Sequence, residues 1–131
     1  MRSSPKVSAS RQSASRIGKD LRSVLQPLLR AQSLLRGTIY ELRTRCGKHT
    51  CACAASDDKR HRRWVLSYTV EGKKRMRVVP LDRLAEWRRW AANAREFRTR
   101  RARIAEMTRQ LLADLDVIER GQRRNPDKKA P

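Results

Sequence analysis

The sequence predicts an α+β fold in which an N-terminal helix, a small three-stranded antiparallel sheet with a cysteine knuckle, and a long C-terminal helix follow one another. Apolar residues recur every three or four positions in the regions on either side of the centre, which is the period of a helix face. Between these regions the apolar residues alternate with polar ones, as they do in half-buried strands. Three cysteines lie within eight residues among the alternating stretches.

The first helix is predicted from about Ile17 to Arg36, where the apolar residues step by three and four. Its stripe consists of Leu21, Val24, Leu28, Ala31 and Leu35. Pro27 lies inside this range and has no backbone donor, so it predicts either a kink or a helix that begins near Gln26. Gly37 follows the stripe, at a position where glycine favours the end of a helix.

Three strands are predicted in the middle of the chain. Residues 38–45 alternate, and the strongest alternation places Trp64, Leu66, Tyr68 and Val70 on one face of a second strand. The run Glu71-Gly72-Lys73-Lys74 suits a chain reversal. In the third strand we expect Met76 and Val78 to face the core. Arg75 and Arg77 are expected to face outward.

The second helix is predicted from Leu81 to about Arg120, because this stretch contains no glycine or proline. Its long apolar stripe needs a partner, which the sheet, the first helix or a second copy of the chain could supply. We therefore expect one domain over residues 17–120. The flanking residues 1–16 and 121–131 are basic and poor in apolar side chains, so we expect a disordered arm and a disordered tail there.

The formal net charge of +20 belongs mostly to the body of the chain. Residues 1–19 hold five basic and no acidic residues, and residues 120–131 hold five basic and one acidic, so residues 20–119 retain +11. A folded surface with that charge attracts polyanions, of which nucleic acid is the commonest inside cells. The alternative is a charged surface that serves only solubility.

Cysteine usage bears on the compartment. Three cysteines cannot all pair within one chain, and no secretory signal or membrane span is evident. We expect a cytoplasmic protein that has no contact with a membrane.

The cysteines and a nearby histidine have the spacing of a metal site, Cys46-x4-Cys51-x-Cys53-x7-His61. Three thiolates and one imidazole are a donor set for structural Zn²⁺. His49, a water molecule or a partner's side chain are alternatives to His61 as the fourth ligand. An iron–sulfur centre, a redox thiol and unliganded thiols are alternatives to zinc.

No enzyme is predicted. The sequence offers no glycine-rich phosphate loop, no nucleophile with a neighbouring base, and no carboxylate cluster for Mg²⁺, so we assign no catalytic residue. A filled shell of three cysteines and one histidine also leaves no open coordination position.

Basic residues cluster beside the cysteines and around the predicted hairpin. The side chains expected to contact phosphates are Arg43, Arg45, Lys48, Lys59, Arg60, Arg62, Arg63, Lys73, Lys74, Arg75 and Arg77. Arg43, Arg45, Arg75 and Arg77 are expected to share the outer face of the sheet. The alternative role for them is prevention of edge-to-edge sheet aggregation.

The function predicted from these features is zinc-stabilised binding of nucleic acid, DNA rather than RNA, mainly through the phosphate backbone. The rival hypothesis is an interaction or scaffold protein. In that case the long helix forms a homodimer or binds a partner helix.

The segment Leu42–Cys53, LRTRCGKHTCAC, precedes a basic stretch, an aromatic strand and Val79-Pro80-Leu81. Over roughly residues 36–100 the chain resembles a family of small uncharacterised prokaryotic proteins with a Cys-Gly-Lys-x-x-Cys-x-Cys knuckle and a downstream His-Gly-Pro-Tyr. Here His61-Arg62-Arg63-Trp64 stands in place of that second motif, so the turn-forming pair is absent. The resemblance implies a metal knuckle, a prokaryotic source and, from some members, an accessory role at a transposable element.

Overall fold

The computed structural model describes residues 4–127 and confirms the α+β class. The elements in chain order are helix α1 (Pro5–Leu25), strand β1 (Thr38–Thr44), strand β2 (His61–Val70), strand β3 (Lys73–Val78) and helix α2 (Leu84–Gln122). The described residues divide into two compact units, whereas we expected one domain over residues 17–120. Residues 4–30 with 97–127 form the helical unit, and Ala31–Glu96 form the sheet unit.

Helix α1 begins at Pro5, well before the predicted start at Ile17. The Ser4 hydroxyl accepts a hydrogen bond of 3.2 Å from the Val7 amide, and Pro5 takes the first helical position, where its missing donor costs nothing. Residues 5–16 are therefore helical where we expected a disordered arm. Residues 1–3 of that arm lie outside the described residues.

The same helix ends at Leu25 rather than at Arg36. A 3-10 turn, Gln26–Leu29, follows, and Arg30 is already extended. Pro27 explains this end, because it cannot donate the hydrogen bond that the next helical turn requires. The residues predicted as the last part of the helix, from Ala31 onward, belong to the sheet unit instead.

In the helical unit, α1 runs antiparallel to the C-terminal part of α2. Val7 lies so close to Gly121 that no side chain would fit there. At the other end of α1, the Arg100 Nη1 group donates a hydrogen bond of 3.4 Å to the Val24 carbonyl oxygen. Of the predicted tail, residues 121–122 are helical, residues 123–127 follow the helix, and residues 128–131 lie outside the described part.

The strands form an antiparallel sheet in the order β1-β2-β3. The predicted reversal after β2 is a turn of two residues, Glu71 and Gly72, with φ values of 51° and 79°. Two successive positive φ values are the geometry of the hairpin turn whose twist matches that of the strands. The turn pairs Val70 with Lys73.

This pairing corrects the prediction for β3. Because Val70 pairs with Lys73, odd-numbered residues of β3 share a face with even-numbered residues of β2. Met76 and Val78 therefore lie on the opposite face from Trp64, and they are 54% and 53% exposed. The expectation that Met76 and Val78 face the core was wrong.

The two faces of the sheet differ in what lies on them. The face that carries Trp64 and Leu66 is termed the covered face, because the first turns of α2 lie over it and the Arg88 guanidinium carbon is 4.1 Å from the centre of the Trp64 ring. The face that carries Tyr40, Val65 and Val78 is termed the open face. The buried residues Val65 and Leu66 lie on opposite faces at the centre of β2.

Helix α2 begins at Leu84, because the predicted first residues form a separate 3-10 turn, Leu81–Arg83. The segment before β1 runs beside this helix in the sheet unit, where the Leu35 amide donates a hydrogen bond of 3.1 Å to the Trp90 carbonyl oxygen. Ala91 and Ala94 are buried. Within residues 4–127, no helix combines the length and the apolar content needed to cross a bilayer.

Gly37 connects the segment that runs beside α2 to β1. Its φ of +134° is one that side-chain-bearing residues rarely adopt. A Cβ atom there would lie 2.6 Å from the backbone oxygen of Ser67 and 2.7 Å from the Leu66 Cδ1 atom. Entry into β1 at this position therefore requires glycine.

We expect Gly37→Ala to lower the free energy of unfolding of the sheet unit by about 2 to 4 kcal/mol, from the unfavourable φ and the clash together. Gly18→Ala is the matched control, since a Cβ at this helical position meets no atom within 4 Å. It should stabilise the helical unit by about 0.5 to 1 kcal/mol.

Urea unfolding followed by tryptophan fluorescence reports the sheet unit, because Trp64, Trp87 and Trp90 all lie within Ala31–Glu96. Far-ultraviolet circular dichroism reports both units. Equal unfolding midpoints for Gly37→Ala and the wild type would contradict the close approach at Gly37.

Candidate metal centre

The loop between β1 and β2 carries all three cysteines. Thr44 at the end of β1 pairs with His61 at the start of β2, so the loop leaves and returns at one place. Two short 3-10 turns, Ala52–Ala54 and Asp57–Lys59, keep the loop compact. Strand pairing therefore brings the residues just after β1 close to the first residue of β2.

The predicted ligand atoms meet at the base of this loop. The sulfur atoms of the three cysteines and a ring nitrogen of His61 all lie within 4.8 Å of one another. Cys46 Sγ is 3.5 Å from Cys53 Sγ, and Cys51 Sγ is 3.4 Å from His61 Nε2. A tetrahedral ion with metal–sulfur bonds of about 2.3 Å separates its ligand atoms by about 3.5 to 3.8 Å. The group could thus hold a metal ion.

The histidine in the group is His61, as predicted. His49 does not belong to it, although it lies between two of the cysteines in sequence. His61 is favoured because it is the first residue of a paired strand, whose backbone is held in register.

Backbone amides point at the sulfur atoms. Gly47 adopts a φ of +82°, which turns the chain sharply after Cys46. The Cys46 amide donates a hydrogen bond of 3.5 Å to Cys53 Sγ. The loop is closed by a hydrogen bond of 3.2 Å from the Cys51 amide to the Lys48 carbonyl oxygen.

These hydrogen bonds change the acidity of the thiols. The backbone amide of Lys48 and the Cys53 side chain lower the pKa of Cys46. The backbone amide and then the side chain of Cys53 lower the pKa of Cys51. Both thiols are therefore prepared to ionise, which is the state that binds metal.

Cys53 behaves differently, because it is completely buried. The Cys46 amide favours its thiolate, but burial together with the neighbouring Cys51 and Cys46 thiols outweighs this effect and raises the pKa of Cys53. A third negative charge at this place needs a compensating cation. The geometry gathers three sulfur atoms that only a bound cation lets ionise together.

A carboxylate that sequence reasoning left without a role lies beside the centre. Asp57 pairs with both Arg45 and Arg60, the latter at 3.0 Å. The hydrogen bond from Arg45 and the charges of Arg60 and Arg45 lower the pKa of Asp57. A lone acidic pair, Asp57 and Asp58, between the cysteines and a basic run was the available signal.

The predicted basic residues are distributed over three places. Those on the covered face are Arg43, Arg62, Lys73, Arg75 and Arg77; those on the open face are Arg63 and Lys74; those in the loop are Arg45, Lys48, Lys59 and Arg60. The structure therefore does not gather all of them on one surface.

The prediction of one outer face for four arginines needs correction. Arg43, Arg75 and Arg77 do share a face, but it is the face of Trp64 rather than its opposite. Arg45 lies beyond the end of β1, in the loop. The register of β3 moves its arginines to that side, for the same reason that it exposes Met76.

Comparison with known proteins identifies a family. The domain of unknown function DUF6788 matches residues 17–89. The chain belongs to this family. The DUF6788 region contains the three cysteines, His61 and the whole sheet, together with the end of α1 and the start of α2. No curated protein and no solved structure is detectably similar to this chain.

We expect His61→Gln to lower the affinity of the DUF6788 centre for metal by more than about 100-fold, because a ligand costs more than the outer-shell groups that support it. His49→Gln is the matched control and should change the affinity less than about twofold, since His49 lies outside the cluster. Competition with a chromophoric chelator measures both. Loss of metal from His49→Gln with retention in His61→Gln would assign the wrong histidine.

Proposed function

We propose that this DUF6788 chain is a zinc-stabilised, non-enzymatic protein that binds nucleic acid mainly through the phosphate backbone. The observation that carries the proposal is the charge of β3. Its four cations, Lys73, Lys74, Arg75 and Arg77, are exposed and form no ion pair with any residue between 4 and 127.

The rest of the sheet unit adds to this positive charge. Residues 31–96 contain 16 basic and 7 acidic residues. Where basic side chains do find carboxylates, they share them: Glu41 pairs with Arg43 and Arg62 at 3.2 and 3.5 Å. Asp57 likewise serves two arginines. Each shared carboxylate neutralises one charge of two, so a surplus remains for phosphates.

Zinc is the ion that the donor set favours. Thiolate sulfur selects softer ions over Mg²⁺ and Ca²⁺, and three thiolates with one imidazole form a closed tetrahedral shell. Such a shell stabilises the loop and supplies no open position for a reaction. The metal would hold in place the loop that carries Lys48, Lys59 and Arg60.

Two finer parts of the proposal rest on the sequence resemblance. It supports DNA as the ligand and an accessory role at a mobile element of a prokaryote. Reduced cysteines of this kind suit the cytoplasm.

A salt titration tests the proposal. If about six phosphates are engaged, the logarithm of the association constant should fall with the logarithm of salt concentration with a slope of about −5. Arg75→Gln/Arg77→Gln should reduce this slope by about 2, because two phosphate contacts are lost. The measurement is fluorescence anisotropy on DNA and RNA ligands across salt concentrations.

Arg16→Gln/Lys19→Gln in α1 is the matched control, since it removes the same charge from the helical unit. It should leave the slope close to the wild-type value. A wild-type slope near zero on both duplex and single-stranded ligands would refute the proposed function.

A second candidate function is self-association through the helical unit. Leu112 and Leu115 in α2 are 55% and 46% exposed, although both lie on a helix whose other side contacts α1. They continue a line of small residues, Ala105 and Thr108, at steps of three and four. A second copy or a partner helix could cover this line, as the scaffold hypothesis requires.

If this candidate is correct, Leu112→Gln/Leu115→Gln should raise the dimer dissociation constant by at least about tenfold. Leu29→Gln/Leu81→Gln removes two leucines that are equally exposed but far apart in sequence, and should have no effect. Sedimentation across a dilution series is the measurement. Dimerisation should also survive Cys53→Ala, whereas nucleic-acid binding should decrease with loss of the metal.

A further inference from the structure

The open face of the sheet combines apolar and basic side chains and lacks acidic ones. Its twelve positions include Tyr40, Leu42, Met76 and Val78, and the two cations Arg63 and Lys74. The carboxylate in β1, Glu41, pairs with Trp64 and so lies on the other face. An exposed apolar area with cations and no anions is unusual for a solvated sheet, and it favours an anionic ligand with apolar parts.

Tyr40 lies flat on this face. Its hydroxyl donates a hydrogen bond to Met76 Sδ at 3.8 Å, and Met76 belongs to β3, on the far side of β2. Two strand spacings separate β1 from β3, or about 9.6 Å. A tyrosine standing upright on β1 could not approach β3. The side chain must therefore extend across β2 along the surface of the sheet.

The position of the ring explains the burial around it. Val65, directly opposite Tyr40 in the central strand, is buried although it lies on the open face. Tyr40 itself remains 36% exposed. One side of the ring thus covers Val65 and the other side faces outward, which is the arrangement of a platform on which a planar group can stack.

The two cations lie on either side of this platform. Arg63 precedes Val65 by two residues in β2, and Lys74 is opposite Thr69, four residues beyond Val65. At about 3.3 Å per residue, the two rows are about 20 Å apart along the strand, with the ring between them. Neither cation has an ion-pair partner in the described part of the chain.

We infer that the open face binds single-stranded nucleic acid, with a base stacked on Tyr40 and phosphates bound by Arg63 and Lys74. This inference rests on the proposed function and names its ligand. Stacking on a side chain needs a base whose face is free, which a single strand offers and a duplex does not. A second copy of the chain is a poorer occupant, because it would bring the same cations against each other.

The platform was missed at the level of sequence. Only the tryptophans were considered as stacking residues there, and Tyr40 was one apolar position of an alternating strand. Its orientation depends on Met76 in another strand, so no local pattern could indicate it.

Tyr40→Leu tests the inference, because leucine still covers Val65 but has no aromatic face. We expect the affinity for a labelled oligothymidylate of about 16 nucleotides to fall about 5- to 100-fold, with the salt slope unchanged since the phosphate contacts remain. Tyr40→Phe keeps the ring and should retain the wild-type affinity within about twofold. Fluorescence anisotropy is the measurement, with an oligouridylate of the same length to separate DNA from RNA.

Tyr68→Leu is the matched control, since Tyr68 is the other tyrosine and lies on the covered face. It should leave the affinity for the single strand unchanged, and Tyr40→Leu should leave the affinity for duplex DNA unchanged. Thermal unfolding of each variant establishes that it is folded. Arg63→Gln/Lys74→Gln provides a test that does not alter the platform, and should reduce the salt slope on the single strand by about 2.

The outcomes separate this inference from the proposed function. If the wild type binds with a steep salt slope but Tyr40→Leu binds the oligothymidylate equally well, the inference fails and the proposed function stands. Preference for duplex over single strand, or a dimer that Tyr40→Leu dissociates, would also overturn it. If the wild type binds no nucleic acid at any salt concentration, both fail together.

Discussion

Backbone pairing of β2 with both of its neighbours determines where every functional group in the sheet unit lies. Pairing with β1 places His61 opposite Thr44, and so brings both ends of the cysteine loop to one place. Pairing with β3, set by the two-residue turn at Glu71 and Gly72, decides which side chains face which side. Because a shift by one residue would exchange the two faces, the metal cluster and the open face depend on the same hydrogen bonds.

The cysteine cluster and the basic residues around it are electrostatically coupled. Three sulfur atoms meet within a few ångströms, and burial of Cys53 opposes its ionisation. Basic side chains beside the loop favour the negative charge, and a bound cation would complete the compensation. The Asp57 carboxylate holds Arg45 and Arg60 at this site. This arrangement is that of a structural centre, whose effect on function would be indirect.

Local pattern and overall architecture agreed where the pattern was strong. The helix and strand regions follow from periodicity, and Pro27 marks the end of α1, as its chemistry requires. Small residues concealed the rest of that helix: Ser10 and Ala14 continue the stripe of α1, yet they read as polar or neutral in composition. They become part of a helix because the antiparallel contact with α2 leaves little room, as the close approach of Val7 to Gly121 illustrates.

The sequence by itself determined the α+β class and the group of candidate ligands, because periodicity is a local property and cysteines within eight residues cannot be far apart. Only the tertiary structure decided that His61 rather than His49 joins the cluster, that Met76 is exposed, and that Tyr40 lies across the sheet. Each of these facts depends on register between strands. Register is set by hydrogen bonds and turn geometry summed over whole strands, which no single stretch of sequence expresses.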